Sequence, residues 1–477
     1  MRKIGLLGVL VFAFFQLLPV SFAEPWLANR YSQNCAACHA PGRLNQPPKG
    51  RRCTLSCQGC HVNPQGGGLR NHYGKWNSER WLKSFNSKLF QTKWAPAPHD
   101  KQPYMKPKNK NELFKPGETK TVISKAPYPN EDLYDNHYYK DWHKDSKNLS
   151  EFKSRIPIED PYLTERTQKI TGGADLRYLY GQLSGDREGD LNGLMAVDLG
   201  LRYRPVPEKV SVVFETRYSN SPFNTELTDG VTADARVRSA YVLVDDLSYN
   251  SFFQYGLYRP MFGNYTPDHT SLSQTLTDMD QNAVVRAWSF GLAPNVPYGI
   301  FSLIQPTTGS PTDLSTNPFL NDEGYAINLG ARAVTLGLSA NLTYWQTERP
   351  DADGAKRSRS YVVASGGMHW RRLVLNGELA NFDIEELSGA NNSGSVVTFD
   401  GKYRIWREVY GVFNYAFSNT NRTRGEGQSN ETLLGVKAFL LPGSEVDLQY
   451  ILRDETNDES DTETSYNTIQ VQAHLYF

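Results

Sequence analysis

Beyond its first two dozen residues this 477-residue sequence has no run of about 18 apolar residues, the length a helix needs to cross a bilayer. A helical membrane protein is therefore excluded. Neither sign of charge is in excess: 51 basic residues meet 51 acidic ones. That argues against a nucleic-acid partner, since such proteins usually carry a basic surplus. Cysteine is scarce and confined, all five lying between positions 35 and 60. No Ser/His/Asp set or paired-carboxylate motif can be placed, which weakens every hydrolytic class. What the chain does have is aromatics, 12% with 27 Tyr and 9 Trp, at a low mean hydropathy of -0.56. A transmembrane barrel combines those two properties, because half of each strand faces a polar lumen.

The first residues read as a secretory signal (1–23). Arg2 and Lys3 form a charged start, Ile4 to Leu18 an apolar core, and Ser21-Phe22-Ala23 a small-x-small cleavage site that leaves Glu24 first. An uncleaved anchor is the alternative, against which the apolar run is short. No Cys follows the cleavage site, so a lipoprotein is not expected.

The stretch "NCAACHAPGRLNQPPKGRRCTLSCQGCH" contains Cys-x-x-Cys-His twice, as Cys35-Ala36-Ala37-Cys38-His39 and Cys57-Gln58-Gly59-Cys60-His61. In c-type attachment both thiols add to haem vinyl groups and the following His binds the iron. The His must directly follow the second Cys, because its ring has to reach the iron once the thioethers are fixed. Two covalently attached haem c groups are expected, held by Cys35, Cys38 and His39 and by Cys57, Cys60 and His61. Structural disulfides or a four-Cys zinc site use the same thiols but leave the two His unexplained. Cys53-x3-Cys57-x2-Cys60 matches an iron–sulfur spacing, which leaves the first motif unexplained. Cys53, outside both motifs, reads as a free buried thiol, a weak iron ligand or an accident of sequence, the free thiol being the plainer reading.

Candidate distal iron ligands before the barrel are His72, His99, Met105, His137 and His143. His72 is favoured: it lies 11 residues past His61, behind Gly66-Gly67-Gly68, which lets backbone pass close to a flat macrocycle. A surface His in a turn is the plainer reading. Residues 24–90 form the dihaem region, mostly coil, with one amphipathic helix expected in "NSERWLKSFNSKLF" behind Ser78. Residues 91–165, rich in Lys, Pro and Tyr, are either a linker or an extension of a plug.

From about 169 to the end the texture is alternation. In "TIQVQAHLYF", Ile469, Val471, Ala473, Leu475 and Phe477 oppose Thr468, Gln470, Gln472, His474 and Tyr476. In "KVSVVFETRY", Val210, Val212, Phe214 and Tyr218 oppose Ser211, Glu215 and Arg217. In "VVTFDGKYRI", Val397, Phe399, Tyr403 and Ile405 oppose Thr398, Asp400, Lys402 and Arg404. The pattern predicts about 16 strands, beginning near 169, 191, 208, 234, 251, 284, 297, 324, 335, 358, 372, 394, 407, 431, 443 and 465. Short turns ("RPVPE", "APNVP", "LPGS") alternate with long loops at 259–283, 305–323 and "RDETNDESDTET". That is the pattern of an all-β, antiparallel outer-membrane barrel over 166–477; a soluble sandwich would seal its apolar faces in one core. Asp454, Glu455, Asp458, Glu459, Asp461 and Glu463 offer a carboxylate cluster able to concentrate cations such as ferrous iron, as do Asp268, His269, Asp278 and Asp280. An ordinary acidic loop is the plainer reading of each.

An exported c-type haem region followed by one porin-like barrel resembles the fused cytochrome–porins of the Gram-negative outer membrane, whose best-known members belong to iron-oxidising bacteria. The resemblance rests on the Cys-x-x-Cys-His motifs and the barrel pattern, and covers the whole mature chain. Those members carry one haem motif and this chain two, so it looks like a dihaem relative. The resemblance implies a small haem domain, in the lumen or on its periplasmic side, that passes electrons across the membrane. The partners expected are outer-membrane lipid, a soluble periplasmic cytochrome, and an external donor or acceptor such as Fe2+. Such a chain is an oxidoreductase only in the electron-transfer sense. Two other functions fit the motifs: a solute porin with a tethered periplasmic cytochrome, and a membrane-held dihaem enzyme of the peroxidase kind with one five-coordinate haem.

Overall fold

The computed structural model describes residues 61–65, 68–70 and, with gaps at the connections, 169–476. The signal segment, Cys35, Cys38, His39, Cys53, Cys57, Cys60, His72, the helix expected at 77–90 and the segment 91–165 lie outside the described residues.

Among the described residues sixteen strands run β1 (Ile170–Gly185), β2 (Gly189–Val206), β3 (Val210–Ser219), β4 (Asp234–Val244), β5 (Phe252–Tyr258), β6 (Val285–Leu292), β7 (Pro297–Gln305), β8 (Glu323–Ala333), β9 (Leu338–Pro350), β10 (Lys356–Trp370), β11 (Leu373–Glu385), β12 (Asn391–Trp406), β13 (Val409–Asn421), β14 (Glu426–Leu441), β15 (Ser444–Asn457) and β16 (Thr462–Tyr476). Each pairs antiparallel with its sequence neighbours, and β1 closes on β16 from Asp175↔Tyr476 to Gly185↔Tyr466. Closure leaves no unpaired edge, which a sheet facing lipid requires because hydrocarbon offers backbone groups no partner.

Alternation inside each strand sets the two surfaces. On β16, Ile469 is 55% exposed while Gln470 is 2% exposed. On β3, Val212 and Phe214 face out and Ser211, Glu215 and Arg217 face in; on β12, Val397, Phe399, Tyr403 and Ile405 face out. An exposed apolar outside around a buried polar inside inverts the soluble pattern, and it is stable only if the outside is in lipid. Leu434, exposed near the middle of β14, sits on that face. We expect Leu434→Arg to destabilise the barrel by about 2–4 kcal/mol, the cost of a cation at the bilayer midplane. Denaturant unfolding in vesicles reads it.

Connections on the rim that carries the start of β1 and the end of β16 are short: β10 ends at Trp370 and β11 starts at Leu373. The opposite rim carries the long ones, from Tyr258 to Val285 and from Gln305 to Glu323. One expected loop shrinks. "RDETNDESDTET" is mostly strand, with only 458–461 between β15 and β16. Polar pairing carries the ladder past the apolar zone: Arg453 bonds Glu431, Arg187 pairs with Glu455 at 3.0 Å, and Ser465 Oγ donates to Asp454 at 2.6 Å.

The inner wall departs from simple alternation. From β3 to β12 buried apolar residues, Val213, Leu243, Ala287, Trp345, Val363 and Ala380 among others, stand between buried polar ones such as Glu215, Gln254, Ser289 and Thr343. Around β14–β16 it is polar, with Glu431, Asp447, Gln449, Gln470, Gln472 and His474.

Candidate functional site in the barrel lumen

Residues 61–65 and 68–70 lie against the inside of the wall. His61 bridges Arg70 in antiparallel fashion, and the Val62 N–H donates to the Leu69 carbonyl at 2.9 Å, so the two arms pair as a hairpin. Val62 is fully buried and Leu69 nearly so, both within the apolar cluster of the inner wall. Leu69 reaches the space beside Gly200 of β2, where a Cβ would meet its Cδ1 at 3.0 Å.

Polar contacts fix the hairpin in place. Gln65 Nε2 donates to Gln254 Oε1 of β5 at 3.0 Å and to Ser289 Oγ of β6 at 3.3 Å, and the Met261 N–H donates to Gln65 Oε1 at 2.8 Å. Asn63 Oδ1 accepts from the Gln65 N–H at 3.1 Å and Gln254 Nε2 at 3.4 Å. The Leu69 N–H donates to Glu215 of β3, whose other oxygen accepts from Ser239 Oγ of β4. Gly68 makes this approach possible: its φ is +65°, and a Cβ there would stand 2.5 Å from Glu215 Oε1. Arg70 lies over the Tyr476 ring at 3.8 Å, tying the hairpin to the strand that closes the barrel.

His61, the residue after the second Cys-x-x-Cys, is thus in the lumen. Burial, with Arg70 beside it, pushes its imidazole down to about 4. At neutral pH the ring is uncharged, the form that ligates iron. A neutral imidazole, an apolar wall and nearby guanidinium groups fit a haem held through Cys57, Cys60 and His61. The sequence brought only His61 of its site residues into the described set. Asp268, His269, Asp278 and Asp280 lie outside it. Of the acidic run, Asp454 and Glu455 are engaged by Ser465, Arg187, Arg453 and Tyr466. Among the described residues no group of three or more His, Cys, Asp and Glu is arranged to hold a metal ion.

The sequence reading missed a second inward element. The chain after β5 turns into the lumen instead of outward: Phe262 packs edge-on against Trp345 of β9 at 6.3 Å and Tyr361 of β10 at 5.5 Å. The Gly263 N–H donates to Thr343 Oγ1 at 3.2 Å, and Arg259 bonds the Met279 carbonyl. Phe319, from the β7–β8 connection, stacks edge-on against Trp345 at 5.5 Å beneath Arg359. The signal was an aromatic, Phe262, just past a strand end. We expect Phe262→Ala to cost about 3–5 kcal/mol, as for other buried Phe truncations, and to expose 259–284 to added protease.

The wall also holds compact ion pairs. Arg217 grips Asp198 with two bonds, at 2.6 and 2.7 Å, and Arg238 joins the same carboxylate. His474 lies between Asp175 at 2.8 Å and Glu445 at 2.9 Å.

No family model and no curated protein matches the sequence. Solved structures match the barrel. OprB of Pseudomonas putida is 11% identical over 65% of this chain and 94% of its own, with a TM-score of 0.50. OmpT of Vibrio cholerae, an outer membrane protein, is 14% identical over 65% of this chain and 99% of its own, at 0.47. The outer membrane channel DcaP of Acinetobacter baumannii is 11% identical over 65% and 97%, at 0.47. The barrel thus has a porin-like fold.

Proposed function

We propose that this chain carries electrons across the outer membrane through covalently bound haem c held in and beside the barrel lumen. The observation that carries the reading is the position of His61: the residue that completes a haem-attachment motif is docked on the inside of a membrane barrel. Bound at Cys57, Cys60 and His61, and likewise at Cys35, Cys38 and His39, haem supplies a one-electron Fe(III)/Fe(II) couple.

The chain's own residues do the rest. Glu215, Gln254 and Ser289 hold the hairpin, and with it His61, at one height in the lumen. Val62 and Leu69, packed on the apolar wall, keep water from that contact. The outer belt of Leu, Val, Phe and Tyr keeps the sleeve in lipid. A soluble periplasmic cytochrome meets one mouth, and an external donor or acceptor, ferrous iron among them, meets the other.

A second reading, a solute porin with a tethered cytochrome, draws on the polar sector of Gln449, Gln470 and Gln472. One experiment separates them. Sealed proteoliposomes with a trapped redox dye receive a membrane-impermeant reductant outside. Rapid dye reduction with no leak of sugars supports the conduit. Sugar leakage without dye reduction supports the porin and sinks the conduit.

A further inference from the structure

The barrel wall is not of one height. β1, β12 and β14 have 16 residues each, whereas β5, β6 and β7 have 7, 8 and 9. A strand needs about 9–11 residues to cross the hydrocarbon, so β5 and β6 fall short. A span too short for its bilayer thins the lipid beside it, snorkels its flanking residues or oligomerises. The side chains on this low sector favour the last. Phe253 and Tyr255 of β5, Trp288 and Phe290 of β6 and Phe301 of β7 stand at outward positions. Tyr255 and Trp288 are cross-strand partners near the middle of their strands, stacked at 3.7 Å, with Phe253 at 5.2 Å from Trp288. Against lipid, Tyr and Trp belong at the two water interfaces. A rigid aromatic cluster in mid-wall is what a protein interface uses. Charge completes the face. Arg286 near the start of β6 and Glu323 at the start of β8 hold outward positions on the rim of the long connections, one on each side of β7. Arg286 is in register with Gln305, where β7 ends, and donates to the Pro306 carbonyl.

We propose that the outer face of β5 to β8 joins two copies of this chain, about a two-fold axis that runs along the membrane normal at β7. Such an axis sets the β6 side of one copy against the β8 side of the other, because an isologous contact uses the same patch twice. Arg286 of each copy then meets Glu323 of the other, and both ion pairs form at once. Their long side chains take up the stagger that strand tilt imposes. The aromatic rings pack on protein instead of lipid, and each short wall is covered by its twin. No haem enters this contact, so it stands or falls apart from the function proposed above.

The test counts copies of the full chain, by light scattering in mild detergent and by single-molecule photobleaching in lipid vesicles. Two copies are expected in each. Arg286→Glu and Glu323→Arg, each still a heat-modifiable barrel, halve the protein mass, because like charges then oppose each other at both contacts. Mixing these two variants restores a dimer, since each copy then offers the charge the other needs. The double variant Arg286→Glu/Glu323→Arg dimerises by itself. Trp288→Ala dissociates at protein concentrations where the native chain stays paired. A native chain that counts as one copy in vesicles overturns the proposal and leaves thinned lipid beside the short strands. Three copies overturn the two-fold axis. A dimer indifferent to both single charge reversals overturns the choice of face.

Discussion

Replacing Cys57 and Cys60 with Ala should remove one of the two haems proposed above, and with it electron entry into sealed proteoliposomes, down to the rate of protein-free vesicles. The loss is complete because of distance and medium. The hydrocarbon core is about 30 Å thick and admits no charged intermediate at low cost. The proposed haem at Cys57 and Cys60 would sit beside His61, the motif residue that lies in the lumen among the described residues. The barrel itself should survive, since its sixteen paired strands involve none of these thiols. Haem absorbance per protein, dye reduction and heat-modifiable migration are read on the same preparation. Undiminished dye reduction by a folded, single-haem variant would sink the lumenal route.

Gly68→Ala is the smallest change with the next largest effect. The left-handed backbone there costs about 1–2 kcal/mol once a Cβ is present. That Cβ also displaces the Glu215 carboxylate from the Leu69 N–H, forfeiting a charged hydrogen bond worth about 1.5–3 kcal/mol. Together they shift the hairpin's docking equilibrium by about a hundredfold or more, at about 1.4 kcal/mol per tenfold. Hydrogen exchange in 61–70 should accelerate to match, and dye reduction should slow. Gly189→Ala is the control, because a Cβ at that glycine meets nothing within 4 Å. Equal protection of 61–70 in the two variants would show that the Glu215 contact does not hold the hairpin.

The barrel was legible because its rule is local. Ile469 and Gln470 are neighbours whose destinations differ by strand geometry alone, so hydropathy at period two located all sixteen strands within a few residues. What escaped was non-local. The Gln65 contacts with Gln254 and Ser289 span 189 and 224 positions, and no periodicity encodes them. Phe262 read as part of an outer loop because nothing before Trp345 and Tyr361 announces its partners. Val213 lies at an inward position of "KVSVVFETRY" yet is apolar; it was a visible breach of alternation that marked where the lumen is filled. His61 stood out in the sequence as the end of a motif, while its place in the lumen did not. Glu215 read only as one polar side of a strand, although it is the hairpin's anchor.

The apolar sector of the inner wall has a further consequence, which concerns wetting. Water at Val213, Leu243, Ala287, Val363 and Ala380 would find no bonding group on those side chains, and hydrophobic constrictions gate by dewetting. Ions need a continuous hydrated path, whereas electrons do not. If the proposed conduit is right, apolar patches of this kind would slow protons and salt without hindering electrons, so the cell's outer permeability barrier could stay intact beside the redox chain.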